Sequence, residues 1–216
     1  MKKTLFILCL VAFVSTISAQ DTGFKLGFKA GLPLSFNAVK STDAGIETQT
    51  NGSSLHFMAG VIADVMWTER YAFTTGILFT GKQANFSIEN SVSEKHNLQY
   101  VQIPVGLKLF TEDIFDKGRM YFNFGLQPEI LVGNTKKEGN FTINGVKSDI
   151  VKKFSPLDFG MFLGFGLEYQ KGSTPLFLGL GYQRSFLNVV SEMNTNPDNF
   201  LSIKQNLVVL ELGIKL

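Results

Sequence analysis

The feature that most constrains this chain is a period of two. In segment 24–36 the even positions are Phe24, Leu26, Phe28, Ala30, Leu32, Leu34 and Phe36, and the odd ones are Lys25, Gly27, Lys29, Gly31, Pro33 and Ser35. A side-chain period of two belongs to a β-strand whose two faces meet different surroundings. The pattern returns in segments 55–67, 71–81, 101–109, 119–132, 157–169, 176–182 and 208–216, which makes eight strands in all. No helical period is seen beyond the amino terminus, and no later run of 18 apolar residues exists to form a spanning helix.

The two faces tell where the strands lie. A soluble sandwich also alternates, with its polar face toward water, but such a face carries many long charged side chains. Here the polar face is rich in Gly, and only 18% of the chain is charged, against about a quarter in a soluble domain. The apolar face is bulky, with much of it drawn from 21 Phe. Most of the strands reach the ~9–11 residues that cross a bilayer at a tilt. An apolar band facing lipid and a small, polar lumen account for both faces. The predicted fold is all-β: an eight-stranded antiparallel up-and-down transmembrane barrel.

Connection lengths orient it. Long connections at 37–54, 83–98, 133–155 and 188–203 alternate with short ones at 68–70, 110–118 and 170–174. Outer-membrane barrels keep short turns on the periplasmic side and long loops outside. With an even strand number both ends of the chain are then periplasmic, and no periplasmic domain is expected. The lipid-facing aromatics at that end, Phe24, Trp67, Tyr71, Phe73, Phe122 and Tyr169, form an interfacial girdle.

Lys2 and Lys3, the apolar run at 5–14 and the small polar stretch at 15–19 read as a secretory signal peptide cut after Ala19. Residues 1–19 are therefore an address and 20–216 the barrel. Cys9 lies in the apolar run, so the mature chain has no cysteine, and bulky Phe6, Ile7 and Leu8 before it argue against a lipid anchor. The full chain has 20 Lys+Arg and 18 Asp+Glu. Loss of Lys2 and Lys3 leaves the mature protein formally neutral, with no basic excess for nucleic acid. A single Cys excludes a disulfide scaffold.

Several stretches resemble a known family. YVQIPVGLKLF (100–110), with Pro104 after an alternating Tyr-x-x-Ile, is similar to the fourth-strand signature of the PorT-like outer-membrane β-barrel family. FNFGLQPEILVG (122–133), LDFGMFLGFGLEY (157–169) and LGLGYQRSFLNV (178–189) are similar to its following strands. The resemblance covers the mature chain almost end to end. It implies an eight-stranded outer-membrane barrel, with a structural, adhesive or secretion-accessory role exercised through external loops. Leu216 stands where such barrels often end in Phe.

Parity places a set of charges inside. The inward cations are Lys25, Lys29, Lys82, Lys108, Arg119 and Lys215, and the inward anions are Asp64, Glu129, Asp158, Glu168 and Glu211. An eight-stranded barrel is just wide enough for side chains to fill, so these charges are expected to form a structural network of ion pairs, with Glu211 beside Lys25 or Lys29 where the first and last strands close the ring. A narrow pore is the alternative. A second alternative is a lipid-modifying barrel enzyme in which His56 activates Ser35, a nucleophile–base pairing. No G-x-S-x-G elbow accompanies them. His96, beside Lys95, is read as a solvated loop residue. Two separated His and no mature Cys give no metal-ligand spacing. No catalytic, cofactor or metal residue is assigned. The expected partners are outer-membrane lipid, the barrel-insertion machinery and a secretion-system or extracellular protein.

Overall fold

A computed structural model describes residues 23–41, 48–49, 52–88, 92–115, 117–139, 142–143, 146–147, 151–171, 174–193 and 201–216. The expected signal peptide, Cys9 included, lies outside the described residues. Eight strands close into one antiparallel ring. They are β1 (Phe24–Ser41), β2 (Met58–Met66), β3 (Tyr71–Ile88), β4 (Val92–Gln102 and Val105–Phe115), β5 (Gly118–Gly139), β6 (Leu157–Lys171), β7 (Thr174–Ser185) and β8 (Leu201–Lys215). Each pairs with its neighbours in sequence, and β8 returns to β1 in a continuous register from Gly27–Lys215 to Ser41–Leu201. Among the described residues closure gives every strand of the ring a neighbour on both sides, which is the condition for a sheet in lipid.

The wall is inside-out relative to a soluble protein. Phe57 is 57% exposed, Trp67 64% and Leu212 57%, while Lys82 is 1% and Lys215 0% exposed. Trp67, Tyr71, Phe122 and Tyr169 are exposed at the short-turn end, with Phe24 and Phe73 half-buried beside them. Glycine on the inner face makes room for aromatic filling. A Cβ at Gly166 would lie 2.6 Å from the Tyr121 hydroxyl, and one at Gly213 would meet the Phe177 ring.

Two differences from the sequence-based expectation have physical causes. First, the strands run well into the expected loops: β1 to Ser41, β3 to Ile88, β4 from Val92, β5 to Gly139 and β8 from Leu201. Beyond the apolar band the outer wall meets water, so polarity reverses. Lys40, Asn97 and Gln99 now point outward, and Ala84, Leu98, Tyr100 and Ile203 are buried inside. The period persists while its faces exchange, which reads as a broken pattern. Second, β4 is interrupted at Ile103-Pro104. Pro104 has no N–H to give to the ladder, and Ile103 N–H instead donates to Pro128 O at 2.9 Å.

Candidate functional site

The lumen is the place where this chain concentrates its chemistry, and it is filled in tiers. At the short-turn end, Lys215 Nζ lies 2.6 Å from Asp64 Oδ2 and also contacts Glu168 Oε2. Lys108 Nζ is 3.4 Å from Asp64 Oδ2 and 3.9 Å from Glu168 Oε2, and Arg119 Nη2 is 2.6 Å from Glu168 Oε1. Thr74 Oγ1 donates to Asp64 Oδ1 at 2.7 Å. Aromatic rings wall this tier: Lys108 Nζ sits 4.1 Å from the Tyr121 centroid and the Arg119 guanidinium 3.7 Å from that of Phe110. Such cation–ring contacts partly replace the water that burial removes.

Above it, Lys29 Nζ lies 2.8 Å from Glu211 Oε2, and the Tyr121 hydroxyl donates to Glu211 Oε1 at 3.2 Å. Lys29 comes from β1 and Glu211 from β8, so this pair spans the closure seam. The next tier centres on Glu129. Lys82 Nζ is 2.5 Å from its Oε2, and the Gln102 and Gln127 amides donate to its Oε1 at 3.2 and 2.7 Å. The same two amides donate to Gln183 Oε1 at 3.3 and 3.2 Å. Asp158 accepts from Ser185 and lies 4.0 Å from Lys82 Nζ. Inward charges in a dry interior persist only when paired and hydrogen-bonded, and this column meets that condition. A cavity bounded by Lys29, Lys108, Asn123, Gln127 and Glu211 has about 30 Å³, roughly the volume of a single water.

The mouth at the long-connection end is closed differently. Two short strands that follow β5 and β7, Val151–Phe154 and Val190–Met193, pair with each other. Their apolar side chains Val151, Phe154 and Val190, with the preceding Val189, pack on Ala84, Leu98, Tyr100 and Ile203 of the inner wall. Beneath this cap Glu94 Oε2 accepts the Val151 N–H at 3.3 Å and lies 3.3 Å from His96 Nε2. The His96 ring stands edge-on to Phe154 with centroids 4.9 Å apart. His96 is thus a buried strand residue, 2% exposed, and not the solvated loop residue expected from its Lys95 neighbour. Sequence reasoning also missed the cap, because its residues fall in segments with no continuous alternation.

The remaining inward positions differ in enclosure, Ser35 being buried and Lys25 and His56 only half-buried. Lys25 is half-buried at the short-turn mouth, opposite Asp64 in register, and it lines a cleft of about 240 Å³ with Lys117, Arg119 and Asp113. Ser35 faces Ser54 in register and its Oγ accepts the Gln83 N–H at 3.5 Å. The His56 side chain packs against Gly81. Among the described residues no group of three or more His, Cys, Asp or Glu is placed to hold a metal ion.

A closed ring of bilayer-length strands, apolar outside and charged within, is an integral β-barrel of the outer membrane. The comparison with known families agrees: the family model "Outer membrane protein beta-barrel domain" matches residues 18–191, and the chain belongs to that family. No curated protein matches it by sequence. Among solved structures it is similar to Neisserial surface protein A, with 14% identity and a TM-score of 0.47 over 88% of this chain and 96% of that one. It is also similar to Ail, the attachment invasion locus protein of Yersinia pestis, in complex with the heparin analogue sucrose octasulfate. There identity is 11% and the TM-score 0.41 over 89% and 99% of the chains. The outer membrane protein AlkL in lipid bilayers aligns with 14% identity and a TM-score of 0.44 over 92% and 94%.

Proposed function

We propose that this chain is a non-enzymatic member of the PorT-like branch of outer-membrane barrels, exported by its residue 1–19 signal. In this reading it acts through its external rim in a structural, adhesive or secretion-accessory role. Its lumen charges, Lys25, Lys29, Asp64, Lys108, Arg119, Glu129, Asp158, Glu168, Glu211 and Lys215, serve to hold the barrel together and do not conduct. The observation that carries this reading is the double closure of the lumen. Tiers of ion pairs fill its membrane-spanning part and the Phe154 cap covers its outer mouth. A path for solute would have to break both. The external strands, which stand clear of the apolar band, then remain as the surface offered to a partner, whether a secretion component or an extracellular protein.

The test is electrical and chemical together. Purified, folded barrel in planar bilayers should show no steady conductance. Cells overproducing it should show lipid A of unchanged mass. Steady single-channel steps would replace this reading with the narrow pore. A change in acylation that disappears in His56→Ala would replace it with the barrel enzyme.

A further inference from the structure

The outer wall carries a basic patch that the lumen network does not use. On β7, β8 and β1 the outward side chains are apolar through the bilayer: Leu176, Leu178 and Leu180, then Val208, Leu210 and Leu212, then Phe28 and Leu32. Where this band ends the same three strands present Arg184, Lys204 and Lys40. Alternation settles their direction. Gln183, Ser185, Ile203 and Gln205 are buried inward, and Val39 packs on the inner core, so Arg184, Lys204 and Lys40 face outward.

Register brings the three together. Arg184 lies opposite Asn206, two residues from Lys204, and Lys204 lies opposite Ala38, two residues from Lys40. Diagonal neighbours of this kind are about 7–8 Å apart, within reach of one ligand for side chains of this length. None of the outward positions of these strands is Asp or Glu. Among the described residues no carboxylate makes an ion pair with any of the three. The patch is amphipathic: the Tyr182 hydroxyl donates to Asn206 Oδ1 at 3.0 Å beside it, and Phe186 and Leu187 stand exposed next to Arg184.

We infer that Arg184, Lys204 and Lys40 form a site for the phosphorylated headgroup of an outer-leaflet lipid. Arg and Lys bind phosphate oxygens through charge-assisted hydrogen bonds. Each cation held at a charged membrane surface adds to attraction. The apolar side chains beside the patch favour a lipid over a free anion, because they offer the acyl chains a surface directly below the phosphate. The inference rests on the reading that the long-connection end faces the cell exterior.

The experiment uses the folded mature chain in detergent, with bound lipid counted by native mass spectrometry. The probes are phosphorylated lipid A, the same lipid with its phosphates removed, and inorganic phosphate. Phosphorylated lipid A should bind at least tenfold more tightly than the dephosphorylated form. Arg184→Gln with Lys204→Gln should weaken it about tenfold, and Lys95→Gln with Lys153→Gln, an equal loss of charge elsewhere on the exterior, should not. Each variant is first checked for the gel shift of a folded barrel on heating. If the Arg184/Lys204 variant cannot be folded, Lys40→Gln replaces it and should weaken binding at least threefold.

Equal binding of both lipids, or equal binding by the patch and control variants, overturns the site. Displacement of the lipid by millimolar phosphate overturns the lipid assignment. Labelling of Lys153→Cys on intact cells with an impermeant maleimide separates the two failures. No labelling overturns the orientation, whereas labelling without lipid binding overturns the patch alone.

Discussion

Lys215 Nζ, on β8, lies 2.6 Å from Asp64 Oδ2, on β2, with β1 running between their two strands. Both side chains are fully buried. The pair therefore reaches across the strand that closes the ring and ties its two neighbours together.

Removing one partner of that pair should be costly. Lys215→Met strands Asp64 and Glu168 with only Lys108 and Arg119 for compensation, and breaking a buried pair costs about 3–5 kcal/mol. Urea unfolding of the barrel in lipid vesicles measures it. Asp64→Asn combined with Lys215→Met should recover part of the loss, and no recovery would mean the two sites act independently.

Glu211 has a specific partner to rescue. Glu211→Gln should destabilise by about 3–5 kcal/mol if the pair is dry and under ~1 kcal/mol if water reaches it. Lys29, 2.8 Å away, is the residue whose change to Met should restore stability. Lys25→Met should not. Rescue by Lys25 and not by Lys29 would contradict the register at the seam.

The two faces of one β6–β7 pair should respond differently. Leu163 is 40% exposed midway along the outer face of β6, so Leu163→Arg should cost about 2–4 kcal/mol at the bilayer midplane. Gly164, next along, is a poor lumen control, because Asn123 Oδ1 occupies the space a Cβ would need. Its cross-strand neighbour Gly181 has 3.6 Å of clearance. Gly181→Ser should therefore fall within the ~0.5 kcal/mol of an innocuous substitution. Equal losses in vesicle-unfolding measurements would mean that the faces are assigned wrongly.

The two closures of the lumen act in series, so opening one should not open the barrel. Phe154→Ser loosens the apolar cap but leaves Lys82 and Glu129 in place below it. Planar-bilayer recordings should stay silent for this variant, and also for Lys82→Ala with Glu129→Gln alone. The three changes combined should stay silent too, because Lys29 with Glu211 and Lys215 with Asp64 still fill the lumen below them. Steady current through the Phe154 variant alone would show that the polar column is permeable.

How much of this was readable beforehand differs by region. Within the bilayer the contrast between lipid and lumen is steep, so alternation such as that of Phe24 to Phe36 carries both strand and facing. From it follow the inner-wall positions of Lys29 and Glu211. Register adds which pairs form, and that depends on pairings far apart in sequence, such as Gly31 with Glu211. Above the bilayer the contrast weakens and reverses. Leu98 and Tyr100 point inward beside outward Gln99, and the register shifts between Gln99 and Tyr100. The inward parity of Gln102 continues through Tyr100, Leu98 and His96, but with apolar and polar faces exchanged it no longer reads as an inner wall, and the burial of His96 is hidden with it. The Pro104 interruption was visible as a residue, but the donation of the Ile103 N–H to the Pro128 carbonyl was not.

The length of β5 sets how far the wall stands out of the membrane. Its 22 residues, at about 3.4 Å each and tilted by about 40°, rise about 55 Å. The apolar belt of such a barrel is about 25 Å tall. Most of the remainder stands beyond the lipid at the long-connection end, paired there with Glu94–Gln102 of β4. A surface presented on that β4–β5 ribbon is ordered by ladder hydrogen bonds before anything touches it, so contact there would cost little further chain entropy.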